Sequence, residues 1–128
     1  MDGRIRSHRD LEIYKSASCA AMDLFELTRS FPREEAYSLT SQIRRSSRSV
    51  AANIVEAWRK RRYRAAFISK MSDAETEAAE TQVWIEFAVR CEHLSKAEGR
   101  RLYGVYEKLV RQTVGMIAHA DRLLIKEL

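Results

Sequence analysis

Trp58-Arg59-Lys60-Arg61-Arg62-Tyr63-Arg64-Ala65 is the stretch on which the fold turns. It separates two apolar patterns of helical period and contains neither Gly nor Pro. Before it, Leu39, Ile43, Ser47, Val50, Ile54 and Ala57 follow the three-to-four spacing of one helix face. After it, Phe67, Met71, Ala74, Ala78, Thr81, Ile85 and Ala88 do the same. Read without a break, the two patterns make one helix over 39–92, roughly 80 Å long at 1.5 Å per residue. No other segment is long enough to cover such a helix, and helices in water owe most of their stability to a packed face. The sequence therefore predicts a tight turn within 59–64 that folds the second pattern back on the first.

Two further patterns flank this pair. Leu11, Tyr14, Ser18, Ala21, Phe25 and Thr28 line one face of a first helix, with Asp10 where an N-cap belongs. Pro32 ends it, because the residue before proline is pushed away from helical angles. Ser38 stands as the cap of the second helix. Ser95-Lys96-Ala97-Glu98 opens a fourth as a capping box, continuing through Leu102, Tyr106, Leu109, Val110, Val114, Ile117 and Leu124. The expected fold is all-α: an up-and-down antiparallel four-helix bundle with helices at approximately 11–29, 39–59, 64–92 and 96–126. One domain is expected to span 1–128, with residues 1–9 flexible.

Composition supports this reading. Of 128 residues, four are Gly and one is Pro, where average usage gives roughly fifteen together. So few breakers exclude a β-sandwich or barrel and a Gly-rich nucleotide-binding fold. Hydrophobic residues at 45% and charged residues at 32% place the chain among globular proteins. No apolar run reaches the roughly 18 residues of a membrane span. The polar, basic start shows no secretory signal, so a cytoplasmic protein without membrane partners is expected. Cys19 and Cys91 lie outside any CxxC spacing and read as buried, reduced thiols.

Enzymatic chemistry finds little support. A di-metal carboxylate bundle needs Glu-x-x-His on two helices. Three positions before His8, His93 and His119 stand Ile5, Arg90 and Met116. No paired-histidine metal spacing, nucleophile elbow or phosphate loop is present. A non-enzymatic protein without cofactor or metal is expected, with His93 at a helix end. Asn53 and Glu56 flank core position 54 and read as polar residues bonded across to another helix.

The charge is distributed unevenly. Residues 43–64 carry eight cations (Arg44, Arg45, Arg48, Arg59, Lys60, Arg61, Arg62 and Arg64) against Glu56 alone. Residues 73–92 carry six acids against Arg90. A bias of this size asks for a partner, internal or external. If the second helix reaches 62, Arg44, Arg48, Arg59 and Arg62 form one ridge with Val55 among them. Arg45, Lys60, Arg61 and Arg64 widen it. Guanidinium forks pair bidentately with phosphate, and Tyr63 inside the run is placed to stack on a base. The plain alternative is a solvated face partly paired to the acidic helix. The first helix and residues 83–89 also carry more apolar surface than one bundle face needs, which predicts a subunit interface.

Specific residues carry a family likeness. Phe31-Pro32-Arg33-Glu34-Glu35, Tyr37-Ser38-Leu39-Thr40-Ser41-Gln42-Ile43-Arg44-Arg45 and Ser49-Val50-Ala51-Ala52-Asn53-Ile54-Val55-Glu56 resemble the bacterial four-helix bundle proteins encoded in 23S rRNA intervening sequences. Asp10-Leu11-Glu12-Ile13-Tyr14 is similar to the family's opening, and 80–88 to one branch of its third helix. The likeness covers roughly 8–125. It implies a homopentameric bundle related to the Avd-type accessory proteins of diversity-generating retroelements, which bind nucleic acid and a reverse transcriptase. The chain departs from the family at Ala57 and within 59–64, where glycines are usual.

Together these readings predict a homo-oligomeric bundle that binds RNA or DNA through the basic second helix and its corner. The alternative is a protein-interaction module docking an acidic partner, such as a reverse transcriptase, without touching nucleic acid.

Overall fold

In the computed structural model, which describes residues 5–125, the chain reverses at the predicted corner. Helix α1 spans Glu12–Thr28, α2 Leu39–Arg59, α3 Arg64–Arg90, α4 Lys96–Ala118, and a short α5 Ala120–Leu123. A 3-10 turn at His8–Asp10 precedes α1 and another at Arg33–Glu35 precedes α2. Helices α1 and α2, α2 and α3, α3 and α4, and α4 and α1 pack on one another, which is the up-and-down square.

The corner needs no glycine. Lys60 lies at φ −97°, ψ 17° and closes α2 through its N–H to the Glu56 and Ala57 carbonyls at 3.0 and 3.1 Å. Tyr63 is extended at φ −120°, ψ 110°, and its carbonyl accepts from the Phe67 N–H at 2.9 Å, starting α3. Both conformations are open to any L-residue. The reversal therefore needs no glycine at 57 or within 59–64.

The opposite end reverses differently. Glu92 has φ 63°, the one positive φ among the described non-glycine residues. The His93 N–H reaches the Ala88 carbonyl at 2.9 Å and the Glu92 N–H reaches Val89 at 3.0 Å. This is a Schellman closure whose left-handed position normally favours Gly. Glu92→Gly is expected to stabilise the fold by about 0.5–1 kcal/mol, the left-handed strain removed outweighing the added chain entropy. Denaturant unfolding checks this, and a loss of stability would contradict it.

One apolar cluster runs through all five helices. The expected faces of α2 and α3 are buried residue for residue. In α1 the buried face is Ile13, Ala17, Ala20, Leu24 and Thr28, rotated from the expected one. The reason is that α1 is apolar around much of its circumference, so period alone does not choose the side. On α4, Thr113 is buried and Val114 is 48% exposed. Gly99 lets α4 approach α3, since a Cβ there would collide with Val89 Cγ2.

Several local expectations are corrected. Asp10 does not cap α1; its carboxylate accepts from the Arg6 and Ser7 N–H groups at 2.8 and 3.2 Å, in a capping box with Ser7. In the segment expected to be flexible, Ser7 thus caps a turn, while residues 1–4 lie outside the described residues. Ser38 donates to Glu35 Oε1 at 2.6 Å and does not cap α2. Ser95 does accept from the Glu98 N–H at 3.1 Å, but the Glu98 carboxylate turns to Arg101, so only half the box forms. The fourth helix stops at Ala118 and bends at His119, where continuity to 126 was expected. The bend buries Ala120 at the corner and brings the Ile125 N–H to the Arg61 carbonyl at 3.2 Å. The last residue of that expected helix, 126, lies outside the described residues. Cys19 and Cys91 are both exposed, against the expectation of buried thiols. No described helix is long and apolar enough to cross a membrane.

Candidate nucleic-acid interface

The corner gathers cations around a concavity. Trp58 closes α2 almost fully buried, and the Arg61 guanidinium lies over its ring at 3.5 Å from the centroid. Arg61 Nε also donates to the Trp58 carbonyl at 2.8 Å, which fixes the fork in place. Cation–π stacking and this bond preorganise a group that is otherwise long and mobile. Arg59, Arg61 and Arg62, with Arg6 and His8 from the N-terminal turn, line a groove of about 210 Å³. Burial first, and the Arg59 charge second, hold the Arg61 guanidinium below its ordinary pKa. It nevertheless stays protonated. An arriving anion offsets the repulsion between Arg59 and Arg61.

The eight basic residues of the run divide by what they already touch. Arg59, Lys60, Arg61 and Arg62 make no ion pair with any carboxylate among the described residues. Arg64 Nε donates to Asp121 Oδ1 at 2.9 Å. Arg45 Nη2 donates to Glu80 Oε1 at 2.8 Å, with Nη1 3.5 Å from Glu77 Oε2. Arg44 is half-buried: its Nε donates to Thr28 Oγ1 at 2.8 Å and its guanidinium packs on Phe25, 4.7 Å from the centroid. Arg48 lies over the same ring at 5.8 Å.

The single ridge of Arg44, Arg48, Arg59 and Arg62 is therefore corrected. Helix α2 ends at Arg59, so Arg62 stands in the turn and not on the helix. Arg44 and Arg59 lie roughly 22 Å apart along the axis. Two basic sites result: the corner groove and a shallower surface where Arg44, Arg45 and Arg48 border the exposed Tyr37. Tyr63, within the corner run, is 64% exposed.

The acidic third helix neutralises less of the block than its charge suggests. Of the eight cations only Arg45 pairs with it, while Glu56 pairs with Lys70 Nζ at 3.1 Å. Glu77 is held above the ordinary carboxylate pKa by burial and by Glu80, which Arg45 only partly offsets. Asn53 donates to the Ser49 carbonyl and hydroxyl of its own helix at 3.0 and 3.1 Å, not across to a neighbour.

Sequence reading did not include Trp58, Arg6 or His8 in the site. Trp58 follows Ala57, the last residue of the expected apolar face. A topological signal was present for the others: an even number of antiparallel helices returns both ends of the chain to the α2–α3 corner.

The geometry has relatives. A family described as 23S rRNA-intervening sequence protein matches residues 9–115. A crystal structure from Bacteroides thetaiotaomicron is similar, a protein with unknown function from the S23 ribosomal protein family. It is 26% identical, with a TM-score of 0.74 over 82% of this chain and 97% of that one. No curated protein matches the chain. With the match spanning most of its length, the chain belongs to the 23S rRNA-intervening sequence protein family.

Proposed function

We propose that this protein is a non-enzymatic, self-associating helical bundle that binds RNA or DNA phosphates at the α2–α3 corner. The observation that carries the reading is the set of four adjacent cations, Arg59 to Arg62, without a carboxylate partner among the described residues, with Arg59, Arg61 and Arg62 lining the groove floored by Trp58. Uncompensated guanidinium groups on a concave surface raise the local concentration of polyanions. Exposed Tyr63 supplies a stacking face beside them.

Self-association follows from the apolar remainder. Val83 and Phe87 on α3 are 44% and 46% exposed. Half-buried Trp84 packs on Phe87 with ring centroids 6.1 Å apart, and the three side chains form an apolar patch that a second copy can cover. A homopentamer, as the family resemblance implies, multiplies weak phosphate sites by avidity.

Anisotropy titrations with a structured RNA and a single-stranded DNA, at low and near-physiological salt, test the reading. Binding at low salt that weakens steeply with salt is expected. No binding to either at low salt overturns it and leaves the docking of an acidic protein, such as a reverse transcriptase, as the role of the corner. Light scattering at micromolar concentration should show an oligomer; a monomer contradicts the assembly.

A further inference from the structure

The end of the bundle away from the basic corner brings three metal-ligating side chains together. Glu35 closes the 3-10 turn before α2, while Cys91 and His93 stand on either side of Glu92 at the end of α3. The left-handed Glu92 reverses the chain, which brings both neighbours round to the α1–α2 junction. One ligand atom from each of Glu35, Cys91 and His93 lies within 4.8 Å of the other two. His93 Nε2 is 3.0 Å from Glu35 Oε2.

We propose that Glu35, Cys91 and His93 form a binding site for a divalent transition metal of the zinc type. Around a tetrahedral Zn²⁺, bond lengths of about 2.0–2.3 Å place donor atoms roughly 3.4–3.6 Å apart. The observed separations need only side-chain adjustment to reach that. Thiolate and imidazole select zinc over magnesium or calcium, and three protein ligands leave a fourth position open.

The surroundings are those of a held site and not of a chance surface trio. The Glu35 and His93 side chains are only 21% and 15% exposed. Ser38 Oγ donates to the other Glu35 oxygen at 2.6 Å, orienting the carboxylate. The His93 ring packs on buried Phe31, with centroids 5.7 Å apart, which limits its rotation. Cys91 supplies the accessible edge. A bound ion links the α1–α2 and α3–α4 junctions, segments far apart in the chain, and so favours the folded state.

Titration of the purified, reduced protein with Co²⁺ is the test. The expected result is a saturable thiolate-to-cobalt charge-transfer band at one ion per chain, bleached by Zn²⁺, with a rise in Tm on adding Zn²⁺. Cys91→Ser should abolish the band, Glu35→Gln and His93→Gln should each weaken binding at least about tenfold, and Cys19→Ser should change nothing. Circular dichroism of each variant confirms that it is folded, and the folded wild type alone decides the first result. Absence of a thiolate band in wild type overturns the proposal. So does a band that survives Cys91→Ser, or an affinity indifferent to both Glu35→Gln and His93→Gln.

Discussion

Reversing the corner charge, with Arg59→Glu, Lys60→Glu, Arg61→Glu and Arg62→Glu together, is expected to weaken RNA binding at low salt by about 100-fold or more. Charge-assisted hydrogen bonds to phosphate contribute about 1.5–3 kcal/mol each when formed, and reversal replaces attraction by repulsion. Among the described residues, no carboxylate is paired with these four side chains, so none loses a partner in the variant. Arg61 is the exception in packing, because it covers Trp58. A triple variant that keeps Arg61 should therefore retain wild-type Tm within a few degrees and still lose most of the affinity. Arg45→Glu is the contrasting control, since Arg45 is already occupied by Glu80 and Glu77; its effect on binding should be several-fold at most. Equal losses from Arg45→Glu and from the corner variant would place the binding surface elsewhere on α2.

The second large effect concerns what holds the corner in place. Phe67 is fully buried one turn into α3, directly after the reversal, and its N–H anchors the Tyr63 carbonyl at 2.9 Å. Phe67→Ala leaves a cavity where α3 folds back onto α2 and is expected to cost about 3–5 kcal/mol. Against a total stability of about 5–15 kcal/mol, that is a large fraction. Tm should fall by roughly 10–20 °C. Val114→Ala, on an exposed face of α4, should stay within about 0.5 kcal/mol. Thermal and denaturant unfolding of the two variants side by side decide the point. A loss at Phe67 below about 1.5 kcal/mol would mean that the α2–α3 corner is not packed as described.

The fold was legible because α2 and α3 each carry an unbroken apolar stripe of helical period. Length did the rest, since no segment matches an unbroken helix over 39–92, and the chain had to turn at 59–64. Helix α1 shows the limit of that reasoning: with Ile13, Tyr14, Cys19, Met22, Leu24 and Phe25 spread around it, only the position of α2 and α4 selects the buried side. The break at His119 was equally invisible, because it depends on where Ala120 meets the corner.

The composition of the basic site was readable, but its division was not. Whether an arginine is available depends on partners distant in sequence. Arg45 finds Glu80, Arg64 finds Asp121, and Arg44 finds Thr28 and Phe25. None of these pairings follows from local spacing. The Glu35, Cys91 and His93 cluster was hidden for the same reason, since two junctions meet only after the bundle closes.

The most direct measurement of the central claim is the salt dependence of RNA affinity, plotted as log K against log salt for wild type and for the four-residue corner variant. Each phosphate neutralised on a single strand contributes a slope of about −0.7. Four corner cations therefore predict a wild-type slope of about −3 or steeper, with the variant shallower by about 3. A wild-type slope shallower than about −1, or parallel lines for the two proteins, would contradict binding through the corner.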